Sequence, residues 1–529
     1  MTATPATTAT PATTARPDPA TGRFGPGRLA LAVALVAIWF LSLRNATDFD
    51  LGWHLANGRH LADGVLLGGV DVYSWTAAGA PWVAHEWLTE VAMAGLFDTA
   101  GPTALSAVTA LIVAVAFGLV AWRLRRRSMG YAATVLAIGL GFAGTLVSMG
   151  VRPQLLELLY LAATLLIVDA WLDARLDRWR LWLAAALGAL VWANTHGSFP
   201  LLPAVLAIVT VAALVGRDRR WWEAAVATLL AAVVPLLNPW GLDLYAFAGQ
   251  SLTSEITGRL VQEWRQPALL ELSFLPFTAS IVVALLGAIA LLRRGEGSRA
   301  RRIADLLVAL AFLGLALRSG RHVMLFGVAA APLMGYAFAA VGRGLQIALP
   351  RRGRAVPDSS PAPDASNASG SPHPASSARG RDAVDVVAFL VITCALVVGG
   401  WLMVGPTSQV KAQDARYPTA LLPALDASLA ASGAEARLFN EYTWGGWLIA
   451  ERPAVPVFID GRSEVYGDPQ LERYAAIADG GPDAIEALAG LGATVALVKA
   501  DSPLVADLTA AGWQRQAGDD VGVLLVAPR

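Results

Sequence analysis

Hydrophobic residues in this chain are grouped in long runs, and polar residues are concentrated between the runs. Apolar runs of roughly 17–22 residues recur along the chain, which is the length a helix needs to cross about 30 Å of hydrocarbon. The pattern predicts eleven membrane spans, at 28–44, 103–122, 131–149, 154–171, 180–194, 199–216, 222–237, 275–292, 303–318, 322–341 and 384–404. The predicted fold class is therefore a polytopic α-helical membrane protein.

The connections between these runs alternate between basic and non-basic sequences. Short basic connections include "RLRRR" at 123–127, "RDRR" at 217–220 and "RRGEGSRARR" at 293–302. Short loops rich in Lys and Arg stay on the cytoplasmic side of a membrane. We therefore expect a multi-pass protein of the plasma (inner) membrane, with a cytoplasmic N-terminus and with residues 405–529 outside the cytoplasm.

Two segments have compositions that do not support a packed core. Residues 1–27 are rich in Thr, Ala and Pro, and residues 343–383 are rich in Pro, Ser and Ala. Both are predicted to be disordered and cytoplasmic. The run that begins at 28 has no small-residue cleavage site, so it is predicted to be a retained span. The chain then divides into a ten-span body at 28–342, a final span at 384–404 and a C-terminal domain.

The C-terminal domain, 405–529, is predicted to be an extracytoplasmic α/β domain with a partly parallel sheet. Short apolar, β-branched runs predict strands at 436–440, 455–460, 493–498 and 521–526, and two Gly-terminated segments predict helices at 482–492 and 503–512. A polar and aromatic cluster follows the strand ends at Asn440, Glu441, Tyr442, Trp444, Asp460, Arg462 and Tyr466. Such a cluster suits either a sugar or docking of the domain onto the membrane body.

Composition narrows the function. The 529 residues are 56% hydrophobic and 15% charged, and the formal net charge is zero, which gives no basis for a nucleic-acid partner. The single cysteine, Cys394, excludes an intrachain disulfide. The sequence has no phosphate-binding glycine loop, nucleophile elbow or Cys/His metal motif. This argues against a nucleotide-sugar donor and against a hydrolase.

Ionisable residues gather on the side predicted to be extracytoplasmic. The first outer loop, 45–102, contains "DFDLGWHLANGRHLADG" at 48–64 and "HEWLTEVAMAGLFDTAG" at 85–101, which predict two amphipathic helices lying at the membrane surface. Other outer connections carry "VRPQ", "NTHGSF", "QEW" and "SGRH". Ionisable groups next to hydrocarbon are costly and usually functional. Because these groups lie at the same end of many spans, we expect them to converge on one cavity.

This arrangement resembles the GT-C superfamily of glycosyltransferases that use lipid-linked sugars. The similarity rests on the acid-x-acid motif "DFD" in the first outer loop, the two juxtamembrane helices, the many-span bundle and the C-terminal outer domain. The stretch "GAPWVAHEW" at 79–87 also looks like the first loop of the aminoarabinose and protein-mannosyl transferase branches, with "VAHEW" where the former have a lysine-proline-proline motif. The resemblance implies sugar transfer from a polyprenyl phosphate to a glycan, lipid or protein acceptor.

The chemistry of such a transfer assigns roles to the candidate residues. A phosphate leaving group needs no acid, so the reaction needs a base for the acceptor hydroxyl and positive charge for the phosphate. The position of the family's base implies Asp48 as the first choice, with Asp50 as the alternative or as a ligand of a divalent metal. His54, His85 and Glu86 are a second possible set of metal ligands, although their spacing fits no standard zinc motif. We assign catalysis to Asp48, Asp50, His85 and Glu86, and substrate binding to His54, Arg59, Arg152, Asn194, His196, Glu263, Arg321, His322, Asn440, Glu441, Asp460 and Arg462.

Two other functions fit a polytopic protein with an outer domain. One is a transporter or flippase of lipid-linked intermediates, and the other is a non-catalytic membrane assembly protein. Transporters more often carry internal repeats and charged residues at mid-membrane. The clustering of ionisable residues at one face therefore favours chemistry at that face.

Overall fold

The computed structural model describes residues 25–64, 69–253, 262–348 and 375–528. Residues 1–24 and 349–374 lie outside the described residues, and they include most of the two segments predicted to be disordered. Thirteen α-helices are described in the body, before residue 349. They are α1 Pro26–Ser42, α2 Leu51–Ala62, α3 Trp87–Arg126, α4 Tyr131–Thr145, α5 Leu156–Leu172, α6 Arg178–Thr195, α7 Leu201–Val215, α8 Trp221–Val233, α9 Asp243–Thr253, α10 Leu275–Arg294, α11 Arg299–Arg318, α12 Val323–Ala329 and α13 Ala331–Ala348.

Each predicted span coincides with helical structure in the described residues, and the last one falls on α14, Ala375–Val404. Five helical segments are long and apolar enough to cross a membrane, and a bent pair, Gly320–Ala329 with Ala331–Gly344, makes a sixth. The remaining predicted spans are shorter helices, or more polar ones such as α6 and α11. The chain is thus a mostly helical protein with membrane-length helices, and the number of eleven crossings stays a prediction.

The second half of the outer loop is continuous with the next predicted span. α3 runs for 40 residues and contains a break at Gly101, whose φ of 79° places it in the left-handed region that glycine tolerates. Pro102 follows and restarts the helix. The sequence predicted a separate short surface helix here, whereas the structure joins it to the span at 103–122 through this break.

Helix α2 is buried, contrary to the expected amphipathic helix lying on the membrane surface. All residues from Leu51 to Gly58 are buried. A Cβ added at Gly52 would lie 2.0 Å from the carbonyl oxygen of Gly446, and one at Gly58 would lie 2.1 Å from that of Glu90. Since only glycine permits such backbone approaches, α2 is held between α3 and the C-terminal domain.

The C-terminal domain combines one small sheet with short helices. Its strands are β1 Leu438–Asn440, β2 Val495–Lys499, β3 Gln514–Gly518 and β4 Gly522–Val526, in the order β1-β2-β4-β3. β1 pairs parallel with β2, and the other pairs are antiparallel. Its helices are α15 Pro406–Arg416, α16 Leu422–Ser432, α17 Gly445–Glu451, α18 Ser463–Ala478, α19 Pro482–Leu491 and α20 Leu504–Ala510. The predicted partly parallel α/β character is present.

The strand predicted at 455–460 does not join this sheet. Val457 instead pairs with the outer loop: Trp75 donates its backbone N–H to the Val457 oxygen at 3.0 Å, and Val457 donates to the Tyr73 oxygen at 3.0 Å. Trp53, Tyr73 and Trp82 of the loop belong to the same hydrophobic core as the sheet. The sequence signal for a β-conformation was sound, but the partner is the loop at 73–75. The first outer loop and the C-terminal domain therefore form one packed unit.

Candidate functional site

A cavity of about 780 Å³ lies where the first loop, the ends of several body helices and the C-terminal domain meet. Nine of the predicted site residues line it, namely Asp50, His54, His85, Glu86, Arg152, His196, Glu263, Arg321 and His322. They come from segments up to 272 residues apart in sequence, from 50 to 322. The expected convergence of these polar residues on one cavity is thus present in the fold.

The two acids of "DFD" have different surroundings. Asp50 lines the cavity, and its Oδ1 accepts a hydrogen bond from Trp53 Nε1 at 3.1 Å. Asp48 is not among the lining residues, and its Oδ2 accepts from Arg152 Nε at 2.8 Å. Burial, together with the nearby charge of Asp48, raises the pKa of Asp50 to about 7. Asp50 therefore changes protonation near neutral pH.

Positive charge in the cavity comes from two arginines that share an acid. Arg152 donates to Glu263 Oε2 at 2.7 Å as well as to Asp48, and Arg321 lies 3.9 Å from Glu263. Burial opposes the charge of Arg152, but Asp48 and Glu263 outweigh it and raise the pKa of its guanidinium. Arginine suits bidentate contacts with phosphate oxygens. These two side chains provide a cationic wall for an anionic ligand.

Negative charge in the cavity includes the carboxylate of Glu86, which lies immediately before α3 and is surrounded by histidines. Its Oε1 lies 3.1 Å from His196 Nε2 and 3.5 Å from His85 Nε2. Burial alone would raise the pKa of Glu86, yet the surrounding histidines, His85 first among them, lower it well below its usual value. Burial lowers the pKa of His196 to about 3, so this imidazole is neutral at pH 7. Glu86 is thus an anion held by ring nitrogens.

Two of these residues, together with Glu90 of α3, form a group with the geometry of a metal site. One ligand atom each from His54, Glu86 and Glu90 lies within 4.8 Å of the others, and all three side chains are buried. One imidazole and two carboxylates are a ligand set used for catalytic divalent metals such as zinc, with a position left for another ligand. The residues fit a divalent ion. Asp50, the sequence-predicted ligand, is not part of this group.

The other predicted residues have partners inside the protein. Arg59 pairs with Asp98 at 2.6 Å, and the Asn194 Oδ1 accepts from Trp87 Nε1 at 2.8 Å. In the C-terminal domain, the fully buried Arg462 pairs with Asp460 at 2.6 Å and with Asp71 of the outer loop at 2.7 Å. These buried ion pairs attach the C-terminal domain to the loop. For Asp460 and Arg462 they support docking of the domain, which was one of the two interpretations offered by the sequence.

The strand-end residues Asn440 and Glu441 are likewise engaged by the protein. Asn440 is fully buried, donates to the Ile459 oxygen at 2.8 Å and accepts from Phe458 N at 2.8 Å. Glu441 accepts from Tyr474 Oη at 3.0 Å. Neither lines the cavity. The Asn440 side chain holds the segment 458–461, which carries Gly461 to the cavity wall.

Sequence reasoning missed several residues that line the cavity or support it. Gln154, Glu157 and Glu464 line it, and Glu90 lies behind Glu86 on α3. Two signals were available: Glu86 and Glu90 are four residues apart, the spacing that places side chains on one helix face, and Gln154 lies within the highlighted "VRPQ". No signal in the sequence placed Glu464 opposite the first loop, because that contact depends on domain docking.

Among known proteins, only solved structures resemble this chain, and the resemblance is one of fold. No protein-family model and no curated protein sequence match this chain. Among solved structures, the archaeal oligosaccharyltransferase AglB from Archaeoglobus fulgidus, in complex with an inhibitory peptide and a dolichol-phosphate, is 12% identical. The match covers 89% of this chain and 69% of AglB with a TM-score of 0.52. ArnT from Cupriavidus metallidurans bound to undecaprenyl phosphate is 16% identical, with 95% and 99% covered and a TM-score of 0.49.

The likeness to AglB shows that the chain shares the fold of this archaeal oligosaccharyltransferase over most of its length. The resemblance inferred from the first loop and the bundle is confirmed at this level. A fold hosts many activities, so function has to be argued from the cavity.

Proposed function

We propose that this protein is an integral membrane glycosyltransferase that takes a sugar from a polyprenyl-phosphate donor. The observation that supports this most is the cavity itself, in which Asp50 faces the same space as Arg152 and Arg321. A base and a cationic wall are what transfer from a lipid phosphate requires. AglB, which has this fold, was solved with a dolichol-phosphate.

In the proposed reaction the lipid phosphate binds against Arg152 and Arg321. The acceptor hydroxyl oxygen forms a bond to the anomeric carbon of the sugar. The bond from that carbon to the phosphate oxygen breaks, and its electron pair remains on the phosphate. Asp50 accepts the proton of the acceptor hydroxyl, because it lines the cavity and its pKa lies near 7, where a base works well.

Asp48 has a supporting part in this proposal, although the sequence favoured it as the base. Its carboxylate accepts from Arg152 at 2.8 Å and so orients the guanidinium toward the cavity. His85 and Glu86, also predicted to be catalytic, lie among the buried histidines of the cavity, where Glu86 has a further candidate part as a metal ligand.

We further propose that His54, Glu86 and Glu90 hold a divalent metal, which would stabilise negative charge on the substrate when bound. The purified protein should contain about one equivalent of metal by elemental analysis. Glu90→Gln should lose it, and Glu223→Gln, outside the cavity on α8, should retain it. Equal metal content in both variants would contradict this ligand set.

The packing supports a common side of the membrane for the first loop and the C-terminal domain. The first outer loop and the C-terminal domain share one hydrophobic core and the buried Arg462 cluster, so they lie on the same side. Combined with the basic loops, this favours an extracytoplasmic site at the plasma membrane.

The test is transfer of radiolabelled sugar by purified protein in detergent or liposomes. Polyprenyl-phosphate mannose, glucose and arabinose serve as donors, and envelope glycans, lipids and peptides serve as acceptors. We expect a labelled acceptor with at least one pair. Movement of the lipid-linked sugar across liposomes without any transfer would instead support a flippase.

A further inference from the structure

Two cavity residues have no part in the mechanism above. Gln154 and Glu157 both line the cavity, and each is only 2% exposed. They are three residues apart where α5 begins, a spacing that places both side chains on one side of the helix. Both therefore reach the cavity from the same direction as Arg152, two residues before Gln154.

The polar atoms of these two side chains lack protein partners. Within the described residues, neither the Oε1 nor the Nε2 of Gln154 makes a hydrogen bond, and the same holds for Glu157 Oε1. Buried polar atoms are nearly always hydrogen-bonded, so three unpaired atoms in two neighbouring cavity residues need an explanation. A ligand that fills the cavity would supply the missing partners.

The other buried glutamine described beside the membrane body shows the normal arrangement. Gln409 Nε2 donates to Ser106 Oγ and to the Val404 oxygen, both at 3.0 Å, and its Oε1 accepts from Ala46 N at 2.7 Å. Gln409 thus uses the capacity that Gln154 leaves unused. The difference between these two side chains is that Gln154 lines the cavity.

We propose that Gln154 and Glu157 form a specificity-determining subsite that binds hydroxyl groups of the donor sugar. The proposal rests on the proposed function, because the sugar is attached to the phosphate held by Arg152 and Arg321. An amide whose two polar atoms are both unpaired matches two neighbouring hydroxyls, one donating to Oε1 and one accepting from Nε2. Glu157 Oε1 accepts from a third.

The subsite therefore selects a hydroxylated pentose or hexose over its deoxy analogues. Loss of one hydroxyl would leave a buried polar group of the subsite unpaired again, and sites built to bind a hydroxyl discriminate strongly against ligands that lack it. The side chains of Arg321 and Ser198 lie near the Glu157 carboxyl and favour its charged form. These contacts hold its carboxyl in the cavity wall.

The experiment compares the best of the three polyprenyl-phosphate donors with its monodeoxy analogues. Wild-type protein should prefer the parent sugar over at least one analogue by about 10- to 100-fold in kcat/KM. Gln154→Leu should lose that preference while its melting temperature stays the same or rises. The matched control Gln409→Leu should keep the preference and melt at a lower temperature.

Two further comparisons decide the outcome. Glu157→Gln, which keeps an acceptor oxygen, should retain more of the preference than Glu157→Leu. Transfer by Gln154→Leu with wild-type preference for the parent sugar would overturn the subsite and leave the transferase proposal intact.

The stabilisation of the protein by bound donor separates the two proposals. If wild-type protein transfers nothing but the parent donor raises its melting temperature more than the deoxy donor does, the subsite holds and the transferase proposal fails. If neither donor changes the melting temperature and nothing is transferred, both are overturned.

Discussion

Each end of the helical body carries a cluster of arginines and acidic residues. One cluster is buried in the protein interior, and the other borders a cavity. At the end formed by the C-terminus of α3, Arg127 pairs with Asp169 and with Asp305, both at 2.6 Å, and Arg123 adds contacts to the same two acids. All four side chains are at most 4% exposed. Two arginines and two aspartates balance in charge, and each of the four side chains is ion-paired within the protein.

At the other end of the same helices, Arg152 is shared between Asp48 and Glu263, and Arg321 lies 3.9 Å from Glu263. These side chains border a cavity of about 780 Å³. The first cluster joins α3, α5 and α11 through buried ion pairs. The second is open on one side. The same types of charged residue are thus ion-paired in the protein interior at one end and border a cavity at the other.

The largest expected effect is on catalysis, from Asp50→Asn. The substitution keeps the shape of the side chain and removes the base, so transfer should fall by about 10²–10⁴ with unchanged melting temperature. Asp48→Asn should lose less, because it only loosens Arg152. Initial rates from the radiolabelled donor measure both. Greater loss in Asp48→Asn would return the base to Asp48, as the sequence first indicated.

Arg127→Met tests the closed cluster and should affect stability instead. It leaves Asp169 and Asp305 partly unpaired in a buried site, which typically costs about 3–5 kcal/mol. The apparent melting temperature in detergent should fall sharply, while the fraction that remains folded keeps its kcat. Arg126→Met is the matched control, because Arg126 is exposed and lies over Trp122 at 5.5 Å. An equal effect of both substitutions would show that net charge, not pairing, is what matters.

The predictability of the two clusters from sequence differs. The basic run at 123–127 predicts a cytoplasmic connection, and the structure adds that Arg123 and Arg127 lie at the end of α3 in buried ion pairs. The sequence could not show this, because the partner Asp305 is nearly 180 residues away. In contrast, polar residues at the open end could be found, since each stands alone next to a long apolar run.

The sequence could not establish which residues of the C-terminal domain contact the first loop. The hydrophobic patterns predicted the helices, and β-branched runs predicted three of the four strands, but 455–460 pairs with the first loop. β3, with its exposed Gln514 and Arg515, has no apolar run to mark it. The sequence left open whether Arg462 binds a sugar or docks the domain onto the body. The structure pairs Arg462 with Asp71, whose position the turn-rich loop sequence does not specify.

A smaller effect is expected from Gly461→Ala. A Cβ at this position would lie 1.8 Å from Asp50 Oδ1, so the carboxyl must move. Displacement of a catalytic group by about 1 Å can cost up to about 10²-fold in rate, and we expect a loss of roughly 10- to 100-fold in kcat. Gly490→Ala in α19 meets no atom within 4 Å and serves as the control. Unchanged kcat in Gly461→Ala would argue that Asp50 has no precise catalytic position.

The smallest effect, about tenfold per pH unit, concerns the protonation of Asp50. Its pKa is about 7, and the base must be ionised, so kcat/KM should rise with pH up to about 7 and then level off. Stability should move the opposite way. The folded-state pKa is raised above the usual 3.8, so the contribution of Asp50 to stability is fully present below about pH 4 and is lost as pH rises through 7.

Asp48 allows the pH dependence to be assigned to one carboxyl. Its charge is one cause of the raised pKa of Asp50, second to burial. Asp48→Asn removes that charge, so the rising limb of the pH profile should shift to lower pH while the limb itself persists. Asp50→Asn should abolish the limb in the residual activity. Profiles of kcat/KM between pH 5 and 8 measure both effects, with melting temperatures recorded at each pH. An unshifted limb in Asp48→Asn would mean that burial alone sets the pKa of Asp50, and a persisting limb in Asp50→Asn would assign the titration to another group of the open cluster.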